Sequence, residues 1–233
     1  MRYGQFCPMA KATEVLGERW TLLVLRELMA GATRYAELQR GLGRISPSVL
    51  SARIKTLIEH GIIERVQSNE TGWEYHLTPC GAELSAVIES IGTWGQRWVR
   101  SRMSSDELDV ELLMLHIQRN FAAGAFAQEH AVVGVVFSDL HGELRRWWLL
   151  LDGDNVELCA QPPGRPEDVL LTCRLRTLSE IFVGDTTVQA ALSAGRIDVK
   201  GPAKLTRNLK QWLRPSPLAA VAPARRESAQ HVR

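Results

Sequence analysis

A predicted β-hairpin between helical segments is the feature that most limits how this sequence can fold. Two short β-prone runs, at residues 62–67 and 73–78, flank a turn at residues 68–72 that contains Asn69 and Gly72. Apolar residues recur at helical spacing on both sides of this hairpin. The order of four helices, a hairpin and a further helix is typical of a winged helix-turn-helix.

The boundaries of the predicted helices follow from proline and glycine. Pro8 suits the first position of a helix, and Ser46-Pro47 marks the entry to the fourth helix. The four helices before the hairpin end at or near Gly17, Gly31, Gly43 and Gly61. After the hairpin, Thr78-Pro79 opens a helix that is predicted to reach about residue 102.

The fourth helix says most about function. A buried stripe is predicted from apolar residues at i, i+4, i+7 and i+8, which are Leu50, Ile54, Leu57 and Ile58. The other face has short side chains at its start and basic ones a turn later, which lets a helix enter a DNA major groove closely. An ordinary amphipathic surface helix would show the same pattern, and the hairpin that follows favours DNA binding. The residues expected to contact DNA are Arg34, Tyr35, Arg44, Ser46, Pro47, Ser48, Ser51, Ala52, Arg53, Lys55, Arg65 and Asn69.

Residues 5–100 resemble the HxlR-type winged-helix transcription regulators. The landmarks, in chain order, are Cys7-Pro8, Gly17, Arg19-Trp20, Leu28, Tyr35, Glu37-Leu38, Ile45-Ser46-Pro47, Val49-Leu50, Leu57, Gly61, Ile63, Glu74-Tyr75 and Leu77-Thr78. The resemblance implies a homodimer joined by its first and last helices. It also implies recognition helices in successive major grooves of double-stranded DNA, with the wings on the flanking backbone or minor groove.

An aromatic stripe near the end of the predicted long helix agrees with a dimer. Ile91, Trp94 and Trp98 recur at helical intervals, and a lone DNA-binding domain would leave them exposed. These three residues are therefore the expected dimer interface.

The periodicity changes near residue 104, where a second domain is predicted. Ser104 and Glu107 fit a capping box that opens a helix at 105–122, and strand-like runs alternate with helices from there to about residue 213. We expect a domain at 1–103, an α+β domain at 104–214 and a disordered Pro/Ala-rich tail at 215–233. The fold class of the chain is accordingly α+β.

The second domain resembles the sterol-carrier-protein type 2 fold, in which helices and a five-stranded sheet surround an apolar tunnel. The matching segments are WWLLLDGDNVELCA, PEDVLLTCRLRTLSEIFVGD and GRIDVKGPAKLTRNLKQWL. The resemblance implies an apolar small-molecule ligand or an interaction surface. The candidate pocket residues, each of which could equally be ordinary core, are Phe137, Trp147, Trp148, Phe182 and Leu192. Trp147 and Trp148 are adjacent in a strand, so at most one of them faces a given cavity.

Two interpretations of Cys7 stay open. It lies at a predicted helix N-terminus, where the helix dipole favours a thiolate, and a cysteine at this position serves some HxlR-type proteins as a redox or electrophile sensor. Alternatively, it is a half-buried interface residue. The other cysteines, Cys80, Cys159 and Cys173, are expected to be inert.

Composition and motifs argue against several other classes. The chain has 233 residues, 45% of them apolar and 23% charged, and a formal net charge of +2. No apolar run approaches the length of a membrane-spanning helix, and the N-terminus shows no secretory signal, so a cytoplasmic location is expected. The six histidines and four cysteines show no metal-ligand spacing, and neither GxSxG nor a P-loop occurs. We expect no enzyme activity, cofactor, metal or membrane partner.

Three hypotheses remain. The first is a homodimeric regulator, usually a repressor, whose second domain senses an apolar small molecule. The second is a lipid or small-molecule carrier that keeps a winged helix for protein contacts. The third is a thiol-based regulator that acts through Cys7.

Overall fold

The structure is a computed structural model that describes residues 3–69, 72–100, 103–126 and 128–224. Contacts between residues divide the chain into two compact units, Met1–Gly92 and Thr93–Arg233. The predicted α+β fold class is confirmed, while the predicted boundary between residues 103 and 104 stays a prediction. Among the described residues, every helix is too short or too polar to cross a bilayer.

The first unit is helical, with one antiparallel hairpin. Its elements are α1 (Pro8–Leu16), α2 (Thr21–Met29), α3 (Tyr35–Leu42), α4 (Pro47–Glu59), β1 (Ile63–Ser68), β2 (Gly72–Leu77), α5 (Pro79–Glu83) and most of α6 (Ser85–Trp94). In the hairpin, Ile63 pairs with Leu77 and Ser68 pairs with Gly72. The core is closed by fully buried residues from four elements, among them Val24, Leu38, Leu50, Leu57 and Ile63. This core fixes α4 against α2 and sets its polar face outward.

A buried carboxylate of α2 lies against α3. Glu27 is fully buried and accepts hydrogen bonds from Nε and Nη2 of Arg26, at 3.0 and 2.7 Å. A Cβ atom at Gly41 would stand 1.7 Å from Oε2 of Glu27. A side chain at position 41 would displace the buried Glu27 carboxylate, so glycine lets α3 approach α2 this closely.

The second unit is built on a mixed five-stranded sheet. Its elements are the end of α6, α7 (Val110–Asn120), β3 (His130–Phe137), β4 (Arg146–Asp152), β5 (Asn155–Cys159), β6 (Val169–Cys173), α8 (Leu175–Val183), α9 (Val188–Ser193), β7 (Ile197–Lys200), α10 (Ala203–Thr206) and α11 (Leu209–Trp212). The strand order is β5-β4-β3-β6-β7, and only the β3–β6 pair is parallel.

One face of this sheet carries the core. Alternate β3 residues such as Val133 and Phe137 pack with Met114 of α7 and Leu178 of α8. The aromatic rings of Phe121, Phe126 and Trp212 form a cluster in the same core, with ring centroids 5.2–5.9 Å apart. The interior of the unit is thus occupied by its own aromatic and aliphatic side chains.

Two predicted helices are shorter than expected. The helix predicted at 79–102 is divided into α5, α6 and a π-helical turn at Gly95–Val99, and residues 101–102 lie outside the described residues. Gly92 and Gly95 weaken the helix where the π-helical turn begins. The Ser104–Glu107 capping box is present, but it opens only a 3-10 turn at Ser105–Glu107. Asp109 starts α7 instead, because its carboxylate accepts a hydrogen bond from the Leu112 amide at 3.0 Å.

Part of the predicted disordered tail is ordered. Pro217–Ala220 form a 3-10 turn, and the amide of Ser216 donates a 2.7 Å hydrogen bond to the Phe182 carbonyl. The Ala224 amide also donates to the Arg97 carbonyl, at 2.8 Å. The structure therefore differs from the expectation over residues 215–224, because backbone hydrogen bonds that a composition-based prediction cannot see hold this segment. The rest of the predicted tail, 225–233, lies outside the described residues.

Candidate nucleic-acid interface

The start of α4 is fixed by hydroxyl groups. Ser46 is its N-cap and accepts a 3.4 Å hydrogen bond from the Val49 amide, and Pro47 takes the first helical position. Tyr35, at the start of α3, donates from Oη to the Pro47 carbonyl at 2.8 Å and lies 3.3 Å from Ser51 Oγ. Tyr35, expected to contact DNA, thus holds the first turn of α4 in place.

The predicted polar face of α4 is exposed. Leu50, Ile54 and Leu57 are buried as predicted, whereas Ile58 is 36% exposed and forms part of the surface. The exposed residues on the opposite face are Ser46, Pro47, Ser48, Ser51, Ala52 and Lys55. Short side chains at the first turn leave the helix backbone open to close approach by a partner.

The two basic residues of α4 are placed differently. The Lys55 side chain is 76% exposed, with Nζ 3.8 Å from Glu59 Oε1. The Arg53 side chain is only 20% exposed, and its Nη2 lies 3.4 Å from Glu18 Oε2. Lys55 is therefore available to an anionic partner, whereas Arg53 supports the packing of α4.

The hairpin adds a fixed cation beside α4. The Arg65 guanidinium lies over the Trp73 ring, 3.9 Å from its centroid. Asn69 is exposed near the tip, next to residues 70–71, which lie outside the described residues. Arg34 and Arg44 are exposed at the start of α3 and in the α3–α4 connection. Most of the predicted DNA-contacting residues therefore lie on the surface of one unit, whereas Tyr35 and Arg53 are half-buried.

Exposed apolar residues occur on helices that bury little. Neither α1 nor α6 has a buried residue, and Ile91, Trp94 and Trp98 are all exposed. Sequence reasoning missed further exposed apolar residues, which are Met9 on α1, Val87 on α6, Phe6 just before α1 and Val99 in the π-helical turn. Met9 recurs at helical spacing with Ala12, which predicts a buried face. The sequence holds no signal that this face of α1 is exposed in its own unit.

The four thiols differ in access. Cys7 is exposed at the N-cap of α1, and Cys80 is exposed on α5. Burial, with a smaller contribution from Asp139, raises the pKa of Cys173 to about 12. Burial and the neighbouring Glu157 also raise the pKa of Cys159. Cys173 and Cys159 are therefore poor nucleophiles in the folded chain.

The candidate pocket residues of the second unit are distributed over the two faces of the sheet and the edge of the core. Phe137 and Trp147 are buried in the core, and Trp148 lies on the other sheet face with Nε1 donating to Glu167 Oε1 at 2.8 Å. Phe182 and Leu192 are half-buried at the edge of the core, and the Phe182 ring stacks on His116 with centroids 5.8 Å apart. In the described part of the chain, no group of three or more His, Cys, Asp or Glu residues could hold a metal ion.

The fold and the polar face of α4 define a winged helix-turn-helix protein joined to an α+β unit. The model of the HxlR-like helix-turn-helix family matches residues 15–103, and that of the SCP-2 sterol transfer family matches residues 117–214. The chain belongs to the HxlR-like helix-turn-helix family, and its second unit carries an SCP-2-type domain.

Its relatives are HTH-type transcriptional regulators. An uncharacterized one from Mycobacterium tuberculosis is 42% identical over 91 residues, which are 38% of this chain and 57% of the relative. YvaP from Bacillus subtilis is 33% identical over 102 residues, covering 42% of this chain and 94% of YvaP. YodB from the same species is 35% identical over 95 residues, covering 40% of this chain and 85% of YodB. The chain spans little more than half the length of the mycobacterial relative.

Proposed function

We propose that this chain is a homodimeric, sequence-specific DNA-binding transcription regulator that represses its targets. The observation that carries the proposal is the exposed polar face of α4, which includes Ser48, Ser51, Ala52 and Lys55. Ser51 and Lys55 on this face line one surface with the Arg65 cation of the hairpin. Membership of a family of HTH-type regulators supports it. A dimer on DNA would repress by occluding the underlying sequence from polymerase.

Each part of the proposed interface has a chemical role. Ser48, Ser51 and Ala52 let the first turn of α4 approach base edges in the major groove, where hydroxyls donate and accept hydrogen bonds. Lys55 and Arg65 neutralise backbone phosphates, which supply much of the affinity and make it depend on salt. Ser46 and Tyr35 keep the first turn preorganised.

The dimer is proposed through α6 and the turn that follows it. Trp94 and Trp98 are 59% and 54% exposed, and Ile91 is exposed one turn earlier. Exposing large aromatic side chains to water is unfavourable in free energy, and a second copy of the same surface would cover them. Such a dimer would present two recognition helices to one duplex.

The second unit is proposed to bind an apolar small molecule that changes DNA affinity. The match to the SCP-2 sterol transfer family supports this role, and the half-buried Phe182 and Leu192 offer apolar surface at the edge of the core. A carrier protein that does not regulate is the alternative. The two differ in coupling, because a regulator's ligand must alter DNA binding and DNA must alter ligand binding equally.

A thiol switch at Cys7 is the second candidate function. Cys7 is a free, exposed cysteine at the start of α1, and its carbonyl accepts a 3.1 Å hydrogen bond from the Lys11 amide. Modification there would add bulk at the beginning of a helix whose residues are all at least partly exposed. In this version, Cys7→Ser abolishes an oxidant response and leaves DNA binding in reducing buffer intact.

The experiment is selection of a bound sequence from a random duplex library, followed by fluorescence anisotropy at several salt concentrations. The proposal expects an enriched, two-fold symmetric site and an affinity that falls steeply with salt. Absence of both enrichment and salt dependence would refute it. A cysteine-free variant is the control for the thiol hypothesis, because it cannot respond to an oxidant through Cys7.

A further inference from the structure

A cavity of 430 Å³ opens on the first unit between α4 and the hairpin. Its volume falls within the range of small-molecule sites, roughly 300–1,000 Å³. The residues that matter for the argument come from α3, α4, β1 and β2, and they are Tyr35, Lys55, Ile58, Glu59, Arg65 and Tyr75. We call this cavity the α4–wing groove.

The floor of the α4–wing groove is apolar. Ile58 is the one member of the predicted α4 stripe that is partly exposed, and it lies in this groove. The rings of Tyr35 and Tyr75 are half-buried against the core of the unit and line the groove. Two rings and an aliphatic side chain form a surface that an apolar or aromatic group would cover favourably.

The rim of the groove is cationic. Lys55 extends into solvent and lies near Glu59, which offsets part of its charge. Arg65, from β1, also lines the groove and is held in position by stacking on Trp73. Stacking engages the face of the guanidinium and not its N–H edge, so Arg65 keeps the fork of donors that matches a carboxylate.

We propose that the α4–wing groove binds a small planar aromatic carboxylate. Its ring would lie over Ile58 between the two tyrosine rings, and its carboxylate would meet Arg65. A DNA phosphodiester also suits the cations but leaves the apolar floor uncovered, which is why a ring-bearing anion fits better. Ser51 and Lys55 belong to both surfaces, so an occupied groove would exclude DNA, a consequence that rests on the proposed function.

Calorimetric titration of the full chain with 2-naphthoate tests the proposal. Benzoate, acetate and 2-naphthalenemethanol serve as comparison ligands, because they shorten the ring system, remove it or remove the charge. The proposal expects 2-naphthoate to bind more tightly than all three. No detectable binding of 2-naphthoate at millimolar concentration would overturn it.

Matched variants locate the site. Ile58→Glu should abolish naphthoate binding and Ile58→Met should retain it, since only the glutamate puts a like charge on the floor. Arg65→Gln should weaken binding roughly tenfold through loss of a charge-assisted hydrogen bond, with Arg65→Lys intermediate. Arg40→Gln, an exposed change on α3 outside the groove, should have no effect. Thermal melts confirm that each variant is folded.

The outcomes separate the two proposals. Naphthoate binding that survives both Ile58→Glu and Arg65→Gln would place the ligand elsewhere and overturn the groove. Groove binding in a chain that selects no DNA sequence would support the groove and refute the DNA-binding function. Displacement of DNA by 2-naphthoate in the wild type, but not in Ile58→Glu, would support both.

Discussion

Arg53 turns its guanidinium toward Glu18, with Nη2 3.4 Å from Oε2, although it belongs to the helix that would read DNA. Glu18 lies between α1 and α2, so the pair joins that turn to α4. The Nε atom of Arg53 is buried without a hydrogen-bond partner among the described residues. The sequence alone assigns Arg53 and Lys55 the same role at DNA. In the structure, Arg53 pairs with Glu18 whereas Lys55 is exposed to solvent.

Alanine substitution should separate these roles. Lys55→Ala should lower the slope of log affinity against log salt by about 0.9 if one phosphate contact is lost, with no change in stability. Arg53→Ala should instead lower the urea midpoint. The expected loss in the free energy of unfolding is about 1 kcal/mol or less, because the ion pair is partly exposed. Glu18→Gln is the control and should reproduce the stability effect of Arg53→Ala. An unchanged salt slope in Lys55→Ala would contradict the placement of Lys55 at DNA.

Removal of the exposed tryptophans should weaken the dimer. Trp94→Ala and Trp98→Ala should each shift sedimentation profiles toward monomer at low micromolar concentration, because buried aromatic residues dominate interface energetics. Trp73→Ala is a matched control, since Trp73 is also an exposed tryptophan but belongs to the hairpin. If both helix variants remain as dimeric as the control, the interface lies elsewhere.

The features that could be predicted were local in sequence. The start of α4 follows from Ser46-Pro47, its buried stripe from Leu50, Ile54 and Leu57, and the hairpin from its Asn- and Gly-containing turn. In each case the signal and the structure lie within a few residues of each other. The family resemblances were also carried by ordered local motifs and are confirmed by the family matches.

The features that could not be predicted join residues distant in sequence. The Arg53–Glu18 pair and the Tyr35–Pro47 hydrogen bond depend on how helices pack. Competing local signals also misled: Ser104 and Asp109 both cap a helix start, and only Asp109 is followed by a helix long enough to be α7. Ile58 follows the period of the stripe, yet the last turn of α4 leaves it exposed beside the hairpin.

Acid should destabilise the second unit partly through Glu167. The Trp148 indole donates to its carboxylate at 2.8 Å and lowers the pKa of Glu167 below the ordinary 4.5, against the opposing effect of burial and with help from Arg146. A lowered pKa means that the folded state binds fewer protons than the unfolded state. The stabilisation is therefore present above about pH 4.5 and is lost as pH falls through the folded pKa.

Glu167→Gln isolates this effect, because an amide oxygen still accepts from Trp148 but does not titrate. Urea midpoints measured between about pH 6 and pH 3 should fall further for the wild type than for Glu167→Gln. Trp148→Phe removes the hydrogen-bond donor, so its urea midpoint should also fall less between about pH 6 and pH 3 than that of the wild type. Parallel pH curves for the wild type and Glu167→Gln would refute this role.

The cysteines should divide into two reactive and two protected thiols. Cys7 and Cys80 are exposed and should react quickly with a maleimide in the folded chain. Cys159 should react more slowly, and Cys173 should react only after unfolding, because burial raises its pKa to about 12. Peptide mass spectrometry over a time course, with urea-unfolded protein as the control, measures this. Rapid labelling of Cys173 in native protein would contradict the buried position.

The edge of the core at α8 and α9 is the place where an apolar ligand should act on the second unit. Phe137 and Trp147 are already packed, so a ligand must displace or extend the half-buried surface of Phe182 and Leu192. A neutral long-chain probe, dodecan-1-ol, should raise the melting temperature of the full chain by an amount that grows with its concentration. Binding should also show a negative heat-capacity change, which marks apolar burial.

Variants decide whether this effect belongs to the second unit. Phe182→Ala and Leu192→Ala should reduce the shift in melting temperature, while Leu158→Ala, a similarly half-buried leucine on β5, should lower stability without changing the shift. Ile58→Glu should leave the shift unchanged if the alcohol binds at α8 and α9, whereas loss of the shift in this variant would place the alcohol in the α4–wing groove. The same alcohol must change DNA affinity if the unit is a sensor, since coupling is reciprocal. Binding of the alcohol without any change in DNA affinity would identify the second unit as a carrier. If the alcohol does not bind at all, the second unit has a structural role.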